Sequence, residues 1–367
     1  MTYSVAELFC GGGMARLGLG DQFEVTYAND FSVKKANTYE RYFGDRPDTR
    51  DLAQVVSEGP PVSSFDLVWA SFPCQDWSEA GWKKGENGRT RAAYNAMIGF
   101  LDQVDTRVIV FENVRGLLTT DGGVGLARLA RDLMGWGFNF TVHEINSVAW
   151  LPQSRPRVFV TAWKGDVKLP NTGALSASDK AIKILKTSEG SVPKEFFNVS
   201  LPHPGIEVPE LVSLLEPVEN VEWLPKEEVD TLIQSAKLPV GKWIDTTPRQ
   251  EVSGHLREGE YGFVGTGFRR TRNEVVRFEP RFDGVAGCLR ASEGGSSRQY
   301  VINIANSNVS IRRMTPREGA RLMGIPDDYT LPKHSGSAWR LVGDGVCVPV
   351  VTHIRDNLIL PILVCTK

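Results

Sequence analysis

Cys74 stands in the run Ser71-Phe72-Pro73-Cys74-Gln75, followed by Trp77-Ser78 and a stretch carrying Gly81, Gly85 and Gly88 with Lys83, Lys84, Arg89 and Arg91. An ordinary thiol, with a pKa of about 8.5, is only slightly ionised at neutral pH, and nearby cations favour its reactive thiolate. Glycines mixed with cations describe a loop able to close over a phosphate backbone. A cysteine after an apolar strand can equally be a small core residue; the Pro and Gln neighbours and the basic loop favour the nucleophile. Glu112, in Phe111-Glu112-Asn113-Val114, ends another apolar run. A carboxylate there suits acid/base work, with a turn or cap residue as the bland alternative. In Gln153-Ser154-Arg155-Pro156-Arg157 two arginines stand two apart. On an extended segment they point to the same side, and their forks suit phosphate, carboxylate or a base carbonyl, unless the segment is only a solvated edge.

A second group of residues points to a cofactor. Glu7-Leu8-Phe9-Cys10-Gly11-Gly12-Gly13 puts glycines where a strand turns into a helix. Glycine there lets backbone amides approach a ligand, and Phe9 is placed to stack on an aromatic ring. Asp30 follows at the end of the next strand, where an acidic side chain accepts hydrogen bonds from ribose hydroxyls. This pairing signals a nucleoside-bearing cofactor without separating a dinucleotide from S-adenosylmethionine, although the glycines lack the GxGxxG spacing of pyrophosphate binders. Asp51, on position alone, reads as a helix N-cap.

The elements that must hold these residues alternate. Strand-like runs at Val5 to Phe9, Phe23 to Ala28, Phe65 to Ala70, Val108 to Phe111, Phe138 to Val142 and Arg157 to Ala162 are interleaved with helical spacing at Met14 to Leu19, 33–43 and Leu126 to Met134. Such alternation predicts an α/β fold with a mixed, mostly parallel sheet, which binds ligands at the carboxyl ends of its strands. After Lys164 the texture becomes irregular: mixed Ser, Gly, Lys and Pro, then an acidic stretch over 207–230. A basic run follows, with Arg269, Arg270, Arg272, Arg277 and Arg281 against Glu274 and Glu279. The predicted division is one domain from 1–165 and 338–367, and a second, turn-rich domain over 166–337. A Gly turn and an apolar helix, Val346 to Ile359, close the chain.

Composition sets outer bounds. The 367 residues are 41% hydrophobic and 23% charged, enough for a large core and two domains. The five cysteines form no CxxC pair or Cys/His cluster, so neither a disulfide framework nor a zinc site is expected, and a reducing cytoplasm fits. The N-terminus shows no secretory leader pattern, and no uninterrupted run approaches the roughly 20 apolar residues of a membrane span. The net charge of −2 gives no sign of a nucleic-acid partner, although an enzyme needs only a local basic surface.

Taken together and in this order, the residues resemble the DNA (cytosine-5) methyltransferase family, of bacterial or phage type. The matching pieces are Phe9-Cys10-Gly11-Gly12-Gly13, Asn29-Asp30, Asp51, Pro73-Cys74-Gln75 with Ser78, Glu112-Asn113-Val114 and Gln153-x-Arg155-x-Arg157. Arg313-Met314-Thr315-Pro316-Arg317-Glu318 and Gly343-Asp344-Gly345-Val346 with Val348-Pro349 complete them. The resemblance implies a Rossmann-like catalytic domain and a smaller target-recognition domain.

It also implies roles. Phe9, Gly11, Gly13, Asp30, Phe31, Asp51 and Pro73 would hold S-adenosylmethionine, whose product is S-adenosylhomocysteine. Cys74 would attack C6 of a flipped-out cytosine in double-stranded DNA, Glu112 would contact N3, Arg157 the O2 side, and Arg155 would support the geometry. Gln75, Ser78, Arg269, Arg270, Arg272 and Arg298 would contact DNA. A monomer in a prokaryotic cytoplasm, without metal, is expected, as in restriction-modification systems. Two features depart from many members: Asp344 stands where Asn is common, and Ala149-Trp150-Leu151 lacks a glycine. The competing readings are tRNA cytosine-5 methylation, a NAD-dependent oxidoreductase and a non-catalytic DNA-binding relative.

Overall fold

The computed structural model describes residues 2–73, 89–169, 173–236, 260–272, 274–290, 298–306 and 308–366, excluding the side chains of Arg89, Thr90 and Arg272. The chain divides into two compact units. The first comprises 1–146, 156–205 and 346–367, and the second 147–155 and 206–345.

The first unit follows the predicted alternation: β1 (Tyr3–Leu8), α1 (Met14–Leu19), β2 (Phe23–Asn29), α2 (Val33–Phe43), α3 (Leu52–Glu58), β3 (Ser64–Ala70), α4 (Arg89–Leu101) and β4 (Asp105–Val114). Then come α5 (Gly116–Thr119), α6 (Val124–Gly135), β5 (Asn139–Asn146), β6 (Pro156–Trp163) and α7 (Asp179–Ser188). Local chemistry marks the helix ends: Gly44 takes the left-handed conformation after α2, and the Asp51 side chain caps α3. The inner strands β1, β3, β4 and β6 are buried on both faces along most of their length, so they read as largely apolar runs. Their sheet order is β2-β1-β3-β4-β6-β5. The first four strands are parallel, and β6 runs antiparallel to both β4 and β5. Consequently the carboxyl ends of β1 to β4 and the amino end of β6 lie along one edge.

In the second unit α8 (Lys226–Ser235) packs on an antiparallel sheet of β7 (Phe263–Arg272), β8 (Val275–Arg281), β9 (Gln299–Ala305) and β10 (Asn308–Arg313), in the order β10-β9-β7-β8. Next come α9 (Pro316–Arg321), which opens with a complete Thr315/Glu318 capping box, and α10 (Ser335–Asp344). The chain returns to the first unit through α11 (Val348–Ile354), a π-helical turn at Arg355–Ile359 and α12 (Leu360–Cys365). The stretch Ser335–Cys365 is apolar and long enough to cross a membrane, but 56% of its most apolar window is buried within the protein, as in a core helix.

The units do not divide at residues 165 and 338. Residues 166–205 pack with the first unit because Glu195 to Phe197 hydrogen-bond both sides of Phe140 and extend the edge of β5. Residues 338–345 stay with the second unit, where Trp339 of α10 packs closely on Gly319 of α9.

Candidate active site

The cofactor-type residues meet at the carboxyl edge of β1 and β2. Phe9 follows β1 with φ +56°, left-handed backbone that is costly for a bulky residue and that marks functional turns. Gly11 and Gly13 are also left-handed. A Cβ on Gly13 would lie 2.3 Å from the Phe43 ring, so only glycine fits. The Asp30 carboxylate accepts from the Gly11 amide at 3.0 Å and from the Ser32 amide at 2.9 Å, tying β2 to the glycine turn. Its oxygens retain lone pairs for hydroxyl donors. Phe31, beside it, is 67% exposed, a ring free to meet a flat ligand. Asp51 accepts from Ala53 N at 2.9 Å through Oδ1 and is exposed, which is the N-cap read from its position.

Asn29 was legible only as a neighbour of Asp30. Buried, it donates from Nδ2 to the carbonyls of Asp48 (3.1 Å) and Arg50 (3.0 Å), while Asp30 N donates to the same Asp48 carbonyl. This fixes the Asp51 segment beside Asp30. Conventional patterns offer no signal for it, because an asparagine after a strand reads as a turn residue.

Along the same edge come β3, β4 and β6. Phe72 and Pro73 extend from β3, and Asn113 of β4 donates from Nδ2 to the Phe72 carbonyl at 3.1 Å, steadying the residues that lead to Cys74. Cys74, Gln75 and Ser78 lie outside the described residues. Glu112 of β4 and Arg157 of β6 are diagonal neighbours on one face of the antiparallel ladder. Arg157 Nε lies 3.2 Å from Glu112 Oε1, and their side chains are 13% and 8% exposed. A carboxylate and a guanidinium, nearly dry yet reachable, face the strand edge where ligands of such sheets bind.

Arg155 takes other partners. β6 begins at Pro156, so Arg155 lies just before the strand that carries Arg157. In the second unit its guanidinium donates to the carbonyls of Leu289 (2.7 Å), Gly343 (2.9 Å) and Gly345 (2.6 Å). Gln153, fully buried, donates to Leu322 O at 2.6 Å. This half of the motif holds backbone together.

The basic run forms the β7–β8 hairpin. Arg269 is exposed and opposite Phe278 of the core, whereas Arg270 lies on the other face, opposite Arg277. Arg270 pairs with Glu279 at 3.4 Å and lies over the Phe268 ring. Adjacent strand residues face opposite ways, so Arg269 and Arg270 cannot serve one surface together. The Arg272 side chain lies outside the described residues, and Arg298 is half-buried just before β9. Among the described residues there is no group of three or more His, Cys, Asp or Glu able to hold a metal.

The family model for C-5 cytosine-specific DNA methylases matches residues 3–360. Type II methyltransferase M.HhaI of Haemophilus parahaemolyticus is 25% identical, with 96% of this chain and 93% of the relative covered. M.NgoFVII of Neisseria gonorrhoeae is 28% identical, covering 98% and 86% respectively. Among solved structures, a DNMT2 variant of Spodoptera frugiperda superposes with a TM-score of 0.63 at 17% identity, over 99% of this chain and 100% of that one, and shares the fold. A site of this layout on a matching sheet, with the family pattern running almost end to end, places the chain in the family of C-5 cytosine-specific DNA methylases.

Proposed function

We propose that the protein transfers a methyl group from S-adenosylmethionine to C5 of cytosine in double-stranded DNA, in the cytoplasm of a prokaryotic cell. The observation that carries the reading is the Glu112–Arg157 pair at the strand edge, next to the β3 end from which Pro73 leads to Cys74. The cofactor fits the residues present. Open space lies beside the Gly11 Cα, Asp30 keeps acceptor capacity, and Phe31 offers an exposed ring. Phe9, Asp51 and Pro73 complete the pocket by family resemblance. Bound there, S-adenosylmethionine would supply an electrophilic methyl group.

The chain's own residues account for the rest. C5 of cytosine is a poor nucleophile until a thiolate adds at C6, which is the part given to Cys74. Glu112 holds a proton at N3 as the ring becomes electron-rich, and Arg157 holds Glu112 and the O2 side. Loss of the C5 proton then lets Cys74 leave. The ring is unreachable inside a duplex, so the base is flipped out, at a cost of a few kcal/mol. Arg155 anchors the residues just before β6 on the carbonyls of Leu289, Gly343 and Gly345. The second unit carries the β7–β8 hairpin, a surface for target recognition, and the candidate DNA contacts are Gln75, Ser78, Arg272, Arg298 and, on opposite faces of the hairpin, either Arg269 or Arg270.

The test is methyl transfer from labelled cofactor to duplex DNA and, in parallel, to tRNA. Transfer to tRNA alone would overturn the DNA assignment. Cys74→Ser is expected to abolish transfer while retaining DNA and cofactor binding; near-normal activity would sink the nucleophile assignment. Wild type should be trapped covalently on DNA containing 5-fluorocytosine, because fluorine at C5 blocks the elimination. Bisulfite sequencing of host DNA reads out the recognised sequence.

A further inference from the structure

One buried carboxyl has no part in this chemistry. Glu7, near the end of β1 and just before the glycine turn, is 1% exposed. Its Oε2 accepts from the Tyr39 hydroxyl of α2 at 3.1 Å. That hydroxyl accepts in turn from Arg16 Nη1 of α1 at 3.1 Å, and Arg16 reaches Asp45 at the surface at 2.7 Å. Glu7 Oε1 has no hydrogen-bond partner among the described residues. The turn rests on the same wall, because the space beside the Gly13 Cα is filled by Tyr39 and Phe43.

We propose that Glu7 is a positioning residue for the cofactor turn, acting through its neutral carboxyl and the Tyr39 hydroxyl, so that its ionisation loosens the turn and weakens cofactor binding. The inference rests on the cofactor reading above. Burial pushes the Glu7 carboxyl up to about 8, against the opposing pull of the Tyr39 bond and of the Arg16 amide and charge. A carboxylate with one unpartnered oxygen is costly in a dry site. The relief available is entry of water where α1 starts, which is where Gly11 to Gly13 bend.

The other charged groups around this turn are few. α1 contributes Arg16, α2 contributes Tyr39 and Lys35, the turn contributes Cys10, the end of β2 Asp30 and the loop after α2 Asp45. Burial pushes both Cys10 and Tyr39 up, so neither ionises between pH 7 and 9. β3 presents Asp66 to Ser4 at the far end of β1, and α11 leads to Arg355, which binds the Gly18 and Leu19 carbonyls at the far end of α1.

The experiment is calorimetric titration of the full chain with S-adenosylhomocysteine from pH 6.5 to 9.0. Wild type is expected to lose about tenfold in affinity between pH 7 and 9, and Glu7→Gln less than about threefold. The ratio of the two proteins' affinities removes titration of the ligand's own amino group. An equal alkaline loss in both, or none in wild type, overturns the proposal. Tyr39→Phe removes a bond that favours the ionised form and should move the wild-type midpoint to higher pH; an unmoved midpoint overturns it as well. Failure of wild type to bind S-adenosylhomocysteine at any pH would overturn the cofactor reading itself.

Discussion

Two arginine–glutamate pairs, one in each unit, differ in how deeply they are buried and how fully the carboxylate is hydrogen-bonded. In the second unit, Arg312 of β10 and Glu318 of α9 are both fully buried. Glu318 accepts from both Arg312 terminal nitrogens at 2.6 and 2.9 Å, and also from the amides of Glu216 (2.9 Å) and Thr315 (2.8 Å). Arg312 also donates to the Tyr261 hydroxyl at 2.6 Å and lies over the Trp223 ring. In the first unit, Glu112 and Arg157 meet at 3.2 Å at a strand edge, partly open to solvent. The buried carboxylate is saturated with donors, whereas the other lies where solvent reaches it. A fully satisfied buried network favours rigidity, and a reachable polar pair leaves room for exchange with solvent.

The comparison breaks most sharply at Glu112. Glu112→Gln is expected to lower the methylation rate by about 10³-fold, within the range of general acid/base groups, with cofactor affinity changed by less than about threefold as cofactor and base interactions are separate. Single-turnover transfer and calorimetry measure the two, and equal losses in both would make Glu112 a structural residue. Glu318→Ala should do the reverse. Leaving Arg312 buried and uncompensated costs about 3–5 kcal/mol, read as a lowered denaturation midpoint in urea. The double change Arg312→Met with Glu318→Leu should recover most of that loss. If it does not, the pair supplies more than mutual compensation.

His143 offers a smaller, pH-dependent version of the same contrast. It is 1% exposed, bonded through Nε2 to the Val199 carbonyl at 3.0 Å, with Nδ1 unpartnered among the described residues. Burial lowers its pKa to about 4. A depressed folded pKa means stability present above the ordinary value of about 6.5 and lost as pH falls through 4. His143→Asn should flatten that acid limb in urea titrations between pH 7 and 4; an unchanged limb places the sensitivity elsewhere. The smallest expected effect concerns the hairpin. Among the described residues Arg277 has no carboxylate partner, whereas Arg281 pairs with Asp283. Arg277→Gln should lower the slope of log DNA affinity against log salt by about 0.9, the value of one phosphate contact. Arg281→Gln should change it less, and equal changes would remove the distinction.

How far such features are legible depends on their range. Strand and helix identity follows from local periodicity and turn chemistry, and the helices at Met14–Leu19 and Val33–Phe43 occur where spacing alone puts them. The order of the short motifs from Phe9 to Val348 likewise suffices for the family. Asp30 and Glu112 are readable because each stands at the carboxyl end of an apolar strand, the edge where such sheets bind ligands.

Partner choice was decided only by the tertiary structure. Arg155 and Arg157 look equivalent in the chain, yet one is spent on the carbonyls of Leu289, Gly343 and Gly345 and the other meets Glu112. The reversal of β6, the clamp of Asn29 on the Asp51 segment and the split of Arg269 from Arg270 are of the same kind. So is the burial of Glu7 under Tyr39. Residue type and spacing specify what a side chain is able to do, since chemistry and periodicity are local. Which donor, acceptor or charge it meets depends on segments far apart in the chain, and those are brought together only when the sheet closes its core.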